Sequence, residues 1–220
     1  MMDSRIDPVY LEEAAKGTRW LVEKGFTPSG DSGDVSVRDP KTGLIYISGS
    51  YNDKPFPYHA LSEYRGQDMA VLELDGTCIT PWSHPTIEAP MHLAVYRARP
   101  DVNAIVHTHA LWSSVFAIDH EDIPFVLAEQ YINLGMEIKC AKYAAAGEDR
   151  MGDYIVEALG TNNAAIMANH GAITVAGELM TAYRYAYFLE NIAQKAVFAK
   201  LYGTIKEVPK DNILADYLMK

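Results

Sequence analysis

Apolar positions along this chain change period several times, and each change marks an element. Residues 7–25 predict a helix, with Asp7 as cap, Pro8 at the first helical position and Gly25 at the end. Val9, Tyr10, Ala14, Leu21 and Val22 form its apolar stripe. After a glycine-rich stretch at 29–34, residues 35–38 alternate like a strand, 39–43 form a turn and 44–48 the return strand. Residues 50–66, rich in Tyr, Pro and His, predict an irregular loop. A strand over 69–74 runs into a hairpin turn at Asp75-Gly76. The pattern then gives a helix over 86–99, ended by Pro100, and a strand over 104–107 leading into Thr108 and His109. A short helix at 111–118, a strand at 124–128 and a helix at 147–159 follow. Strands at 164–168 and 172–175 flank Asn169-His170-Gly171, and a long helix covers 177–201. Strands alternating with helices specify a layered α/β domain.

Composition narrows the function classes. With 220 residues, the chain suits one substantial core. Its net charge of -10, with lysines and arginines scattered, argues against a nucleic-acid partner. No apolar run approaches the roughly 18 residues of a membrane span, and the opening MMDSRIDPVY has no signal-peptide character. The two cysteines, Cys78 and Cys140, fit no CxxC pattern and point to a reducing compartment. The expectation is a cytoplasmic protein.

Three short motifs carry candidate chemistry. His107-Thr108-His109 follows a strand, where residues i and i+2 point to one side, so both imidazoles can reach one ion. Glu88 and His92 are four apart on a predicted helix, hence on one face. His170 stands before Gly171, where the backbone can turn tightly beside a bound group. Three imidazoles with a nearby carboxylate suit zinc or another divalent ion. Taken singly, each motif has a plainer reading: two hydrogen-bonded histidines at a strand end, or an ordinary Asn-His-Gly turn. Ser29-Gly30-Asp31-Ser32-Gly33 lacks the Lys-Ser/Thr ending of a nucleotide loop and leads into a strand, so it is set aside. Tyr183, Tyr185, Tyr187 and Phe188 read as packing or subunit contacts.

These motifs, in this order, resemble the class II aldolase and adducin head family. The resemblance rests on the stretch from Ser32 to Arg38, on Glu88 to His109, and on Ala168-Asn169-His170-Gly171 with the helix that follows. It spans residues 10–202 and implies a single-domain layered α/β/α sandwich with a central, largely antiparallel sheet, taken here as 1–220. By this resemblance His107, His109 and His170 are the zinc ligands and Glu88 is the proton-transfer group; His92 is a neighbour of the site rather than a ligand. A glutamate at 88 favours the aldolase branch over the 4-epimerase branch, which carries aspartate there.

Substrate-binding positions carried over from the family are Asp34, Ser48, Gly49 and Thr86. Asp34 replaces the family's asparagine, and Thr86-Ile87 replaces a serine pair, so the expected preference shifts away from an ordinary sugar phosphate. The family's catalytic tyrosine falls on Ala128, leaving Glu129, Tyr131 and the near-terminal Tyr217 as candidates. The implied protein is a lyase acting on a small carbohydrate-like substrate, as a homotetramer with sites at subunit interfaces. A 4-epimerase, a keto-acid decarboxylase and a non-catalytic adducin-like module are the alternatives.

Overall fold

Among the described residues, seven strands form one sheet in the order β3-β2-β1-β4-β7-β6-β5, and the pairing of β1, β4 and β7 builds the site. The computed structural model describes residues 3–50 and 60–209. Its strands are β1 (Asp34–Arg38), β2 (Ile45–Ser48), β3 (Met69–Leu72), β4 (Ala104–Thr108), β5 (Cys140–Ala141), β6 (Ala164–Met167) and β7 (Gly171–Ala176). The helices are α1 (Pro8–Glu23), α2 (Ala89–Ala98), α3 (Leu111–Asp119), α4 (Ala128–Asn133), α5 (Asp149–Leu159) and α6 (Leu179–Tyr202). Every neighbouring pair is antiparallel except β5 with β6.

Helices cover both faces, which is why β4, β6 and β7 are apolar runs rather than alternating stripes. On one face, Val35, Val37, Tyr46 and Val106 pack with Leu11, Ala14 and Leu21 of α1 and with Leu179 and Ala186 of α6. On the other, Ile47, Ile105, Ile173 and Val175 pack with Met91 and Val95 of α2 and Ile155 of α5. A third cluster joins Phe116 of α3 and Ile192 of α6 to Ile166 and Ala172. The expected three-layer sandwich with a largely antiparallel sheet is the observed one.

Two sequence expectations fail. Residues 124–128 form no strand: Ile123 makes a single bridge to Ile138, and α4 begins at Ala128. Pro124 has no amide to donate, and the buried Gln130 side chain satisfies the local backbone instead. Its Oε1 accepts from the Val126 amide at 3.2 Å, and its Nε2 donates to the Pro124 carbonyl at 3.2 Å. The helix expected from residue 86 starts at Ala89, with Glu88 as its N-cap. Glu88 and His92 remain one turn apart, the His92 amide donating to the Glu88 carbonyl at 3.4 Å, and their side chains meet different partners.

Helix α3 has no side-chain cap of its own. Glu190 of α6 supplies one across the fold, accepting from the Trp112 amide at 2.9 Å and the Ser113 amide at 2.7 Å. These are two of the amides a helix start leaves unpaired. Charge-assisted bonds of this kind contribute about 2 kcal/mol together. Glu190→Ala is expected to lower the melting temperature by roughly 4–8 °C in a thermal scan; an unchanged Tm would show that water caps α3 equally well.

Candidate metal centre and substrate pocket

Strand β4 ends between β1 and β7, and three imidazoles meet there. His107 pairs across β1 with Asp34 and across β7 with Ile173. Side chains alternate along a strand, so His107 and His109 lie on the α2 face together. His170 enters from the turn between β6 and β7, which the left-handed Asn169 (φ 53°) makes tight. The Asn169 amide donates to the Ala117 carbonyl at 2.8 Å, tying this turn to α3. The ring centroids lie 4.8 Å apart for His107 and His109, and 4.9 Å for each of their pairings with His170.

Glu88 completes the cluster. Its Oε1 is 3.2 Å from His170 Nε2, and its Oε2 is 3.4 Å from His107 Nε2. One potential ligand atom from each of the four residues falls within 4.8 Å of all the others, so this set could hold a metal ion.

The donor chemistry fits a cation. His107 Nδ1 lies 3.0 Å from the Ala172 carbonyl, which can only accept, so Nδ1 carries the proton and Nε2 offers a lone pair. That Nε2 is only 3.0 Å from His109 Nε2. Burial, reinforced by the neighbouring His107 and His170, pushes His109 down to about 3, so it is neutral with a free lone pair near pH 7. Burial alone would raise the Glu88 carboxyl, but His107 and His170 hold it below its ordinary value, and it is ionised. Its Oε2 is buried and receives no hydrogen bond, a costly state that a cation relieves. Gly171 keeps room for the cluster. A Cβ there would sit 2.2 Å from the Thr108 carbonyl oxygen and 3.3 Å from atoms of both His107 and His109.

His92 is buried outside this cluster. Its Nε2 meets Asp34 Oδ1 at 2.8 Å, and its Nδ1 meets the Ser36 hydroxyl at 2.7 Å. Ser36 in turn lies 2.8 Å from the Tyr96 hydroxyl. Sequence reading placed His92 beside the site but missed this chain, which joins two elements far apart in sequence. Asp34 also accepts from the Thr86 hydroxyl at 2.7 Å. Burial works to raise the Asp34 carboxyl, but His92, His107 and Thr86 together hold it well below the usual range.

Asp34, Ser48, Gly49 and Thr86 line one cavity with Glu88, His109 and His170, with a volume of about 240 Å³. The structure thus brings these sequence-derived positions together. It does not bring Glu129 or Tyr131 there. Both lie on α4; Glu129 is 3.6 Å from Lys195, and Tyr131 lines a separate surface hollow with Ile132 and Met136. Tyr217 lies outside the described residues.

A three-layer sandwich carrying three histidines and a glutamate beside a small cavity defines an α/β protein with a candidate metal centre. Comparison with known proteins gives the family. The family model for the class II aldolase and adducin N-terminal domain matches residues 12–197, and the chain belongs to that family. A 5-deoxy-D-ribulose 1-phosphate aldolase from Bacillus thuringiensis serovar kurstaki is 31% identical over 206 residues, covering 92% of this chain and 91% of the relative. An L-fuculose phosphate aldolase from Methanococcus maripaludis is 28% identical, covering 84% of this chain and 94% of the relative. Among solved structures, an L-fuculose 1-phosphate aldolase superposes with a TM-score of 0.87 at 26% identity, covering 96% of this chain and 95% of the other. The chain is a lyase of the class II aldolase type.

Gly171→Ala is expected to weaken divalent-metal binding by at least about tenfold, the scale on which groups that orient ligands act. Titration against a chromophoric chelator reads this directly, and affinity within about threefold of wild type would show that the strands yield without disturbing the histidines.

Proposed function

We propose that this protein is a zinc-dependent aldolase. It breaks or forms a carbon–carbon bond beside the carbonyl of a ketose, ketose phosphate or related keto compound. The observation that supports this most is the meeting of three imidazoles and an ionised carboxylate at one end of a small cavity. His107, His109 and His170 are the ligands, of the kind zinc favours. An ion held there would supply positive charge where negative charge develops beside the carbonyl.

Glu88 is the proton-transfer group. It is unprotonated at neutral pH and so can accept a proton, and its seat at the start of α2 fixes it over the histidines. The second acid, at the aldehyde oxygen, comes from a neighbouring subunit, with Tyr131, Glu129 and Tyr217 as its candidates. That requires a closed homo-oligomer, for which we propose a tetramer. Phe198, Leu201 and Tyr202 at the end of α6 are exposed apolar surface for such a contact. The free thiols Cys78 and Cys140 agree with a cytoplasmic setting, and no helix among the described residues is long and apolar enough to cross a membrane. The whole of 1–220 is taken as one domain.

Glu88→Gln keeps the shape and removes the base, so turnover should fall by about 10²–10⁴-fold with the fold retained by circular dichroism. Turnover within about threefold of wild type would remove Glu88 from this role. The double substitution His107→Ala with His109→Ala should leave no stoichiometric zinc by elemental analysis; full occupancy would refute the ligand assignment. Light scattering at micromolar concentration should give four chains per particle, and a monomer would sink the shared-site arrangement.

A further inference from the structure

We propose that the cavity beside the histidine cluster grips its substrate through uncharged hydroxyl groups, and that the gripped end carries no phosphate. This rests on the aldolase reading above and adds the substrate class to it.

The argument follows the protons on the cavity wall. Thr86 donates its hydroxyl proton to Asp34 Oδ2 at 2.7 Å. The Ser48 hydroxyl is taken up inside the protein: it accepts from the Val35 amide at 3.0 Å, lies 3.2 Å from the Val35 carbonyl and 2.8 Å from the Thr18 hydroxyl. Both Asp34 oxygens already act as acceptors, Oδ1 toward His92 Nε2 at 2.8 Å and Oδ2 toward Thr86. These three side chains share the wall, and none has a proton directed to the cavity.

The start of α2 offers little more to an anion. A helix N-terminus binds phosphate through free amides. Here the Glu88 amide donates to Thr86 Oγ1 at 3.3 Å, the Ala89 amide donates to the Thr86 carbonyl at 3.1 Å, and Pro90 has no amide proton. Thr86 thus occupies those donors from within.

Charge points the same way. Asp31, Asp34 and Glu88 line the cavity, and among the described residues no lysine or arginine does. His92 meets Asp34 from behind, at 2.8 Å, but stands inside the protein with both ring nitrogens engaged. A phosphate dianion would face these carboxylates with no opposing lysine or arginine among the described residues of this wall. A hydroxyl faces no such repulsion: each Asp34 oxygen receives one bond and keeps a lone pair, and Thr86 Oγ1 accepts as well as donates. The relatives named for 1-phosphate substrates mark this as a departure within the family.

The test uses zinc-loaded protein with a tetrulose, a pentulose and a hexulose, each supplied as the free sugar and as its 1-phosphate. Cleavage is followed by aldehyde release, and proton exchange at the carbon beside the carbonyl is followed in D2O by NMR. We expect kcat/KM to favour at least one free ketose over its 1-phosphate by at least about tenfold, and Asp34→Asn to move that ratio toward the phosphate by at least about tenfold. Inorganic phosphate should inhibit wild type less than it inhibits Asp34→Asn. Wild type favouring the 1-phosphates overturns the proposal and leaves the aldolase reading standing, as does an Asp34→Asn variant with an unchanged ratio. Neither cleavage nor proton exchange with any ketose, free or phosphorylated, overturns both. If Asp34→Asn fails to fold, the wild-type ratio decides alone.

Discussion

Everything in this site hangs on where β4 stops. As an inner strand it pairs with β1 and β7, so both neighbours are held at fixed register to its last residues. That register brings Asp34 abreast of His107 on one side and places Ala172 on the other, where its carbonyl locks the His107 ring. The two-residue period of a strand then sends His109 to the same face. His170 needs only a tight turn to join them. Gly171 permits it, because a side chain there would collide with the Thr108 carbonyl. A site set on ladder hydrogen bonds keeps its geometry more rigidly than one set on loops.

Two buried carboxylates lie near this strand end, and the fold treats them differently. Asp34 is hydrogen-bonded by His92 and Thr86, one on each oxygen. Glu88 keeps Oε2 without a hydrogen bond although the group is ionised. A buried charge left half satisfied is costly, and selection for packing alone would replace it. Glu88 therefore reads as a group awaiting a cation or a proton, and Asp34 as a fixed acceptor. Glu88, at the start of α2, meets His107 and His170, while His92, one turn on, meets Asp34 and Ser36 of β1.

Most of the fold and the histidine cluster were legible in the sequence, for a physical reason. Helix α1 carries an apolar stripe and the Asp7 cap, α6 is a long run rich in alanine and aromatic residues, and β4 and β7 are apolar runs beside chemically distinctive histidines. The failures fall where side chains replace backbone pairing. Residues 124–128 look like a strand because they are apolar, yet Gln130 supplies their hydrogen bonds, and a glutamine six residues from Pro124 gives no local signal. The two-residue β5 is too short to announce itself. The chain Asp34–His92–Ser36–Tyr96 joins β1 to α2 and was hidden, because spacing within one element says nothing about which other element it meets. Glu190 capping α3 from 77 residues away is hidden in the same way.

The start of α2 shows how one local choice sets both chemistry and specificity. A helix that began at residue 86 would draw Thr86 into its first turn. Instead Thr86 precedes the helix and spends its hydroxyl and its carbonyl on three neighbours: Asp34, the Glu88 amide and the Ala89 amide. Pro90 fits because the first turn has no use for its missing amide proton. The free amides that attract anions at other helix starts are thereby consumed, while the Glu88 side chain is released to the histidines. Thr86, which holds the start of α2 and with it Glu88, thus also turns its own hydroxyl away from the cavity toward Asp34.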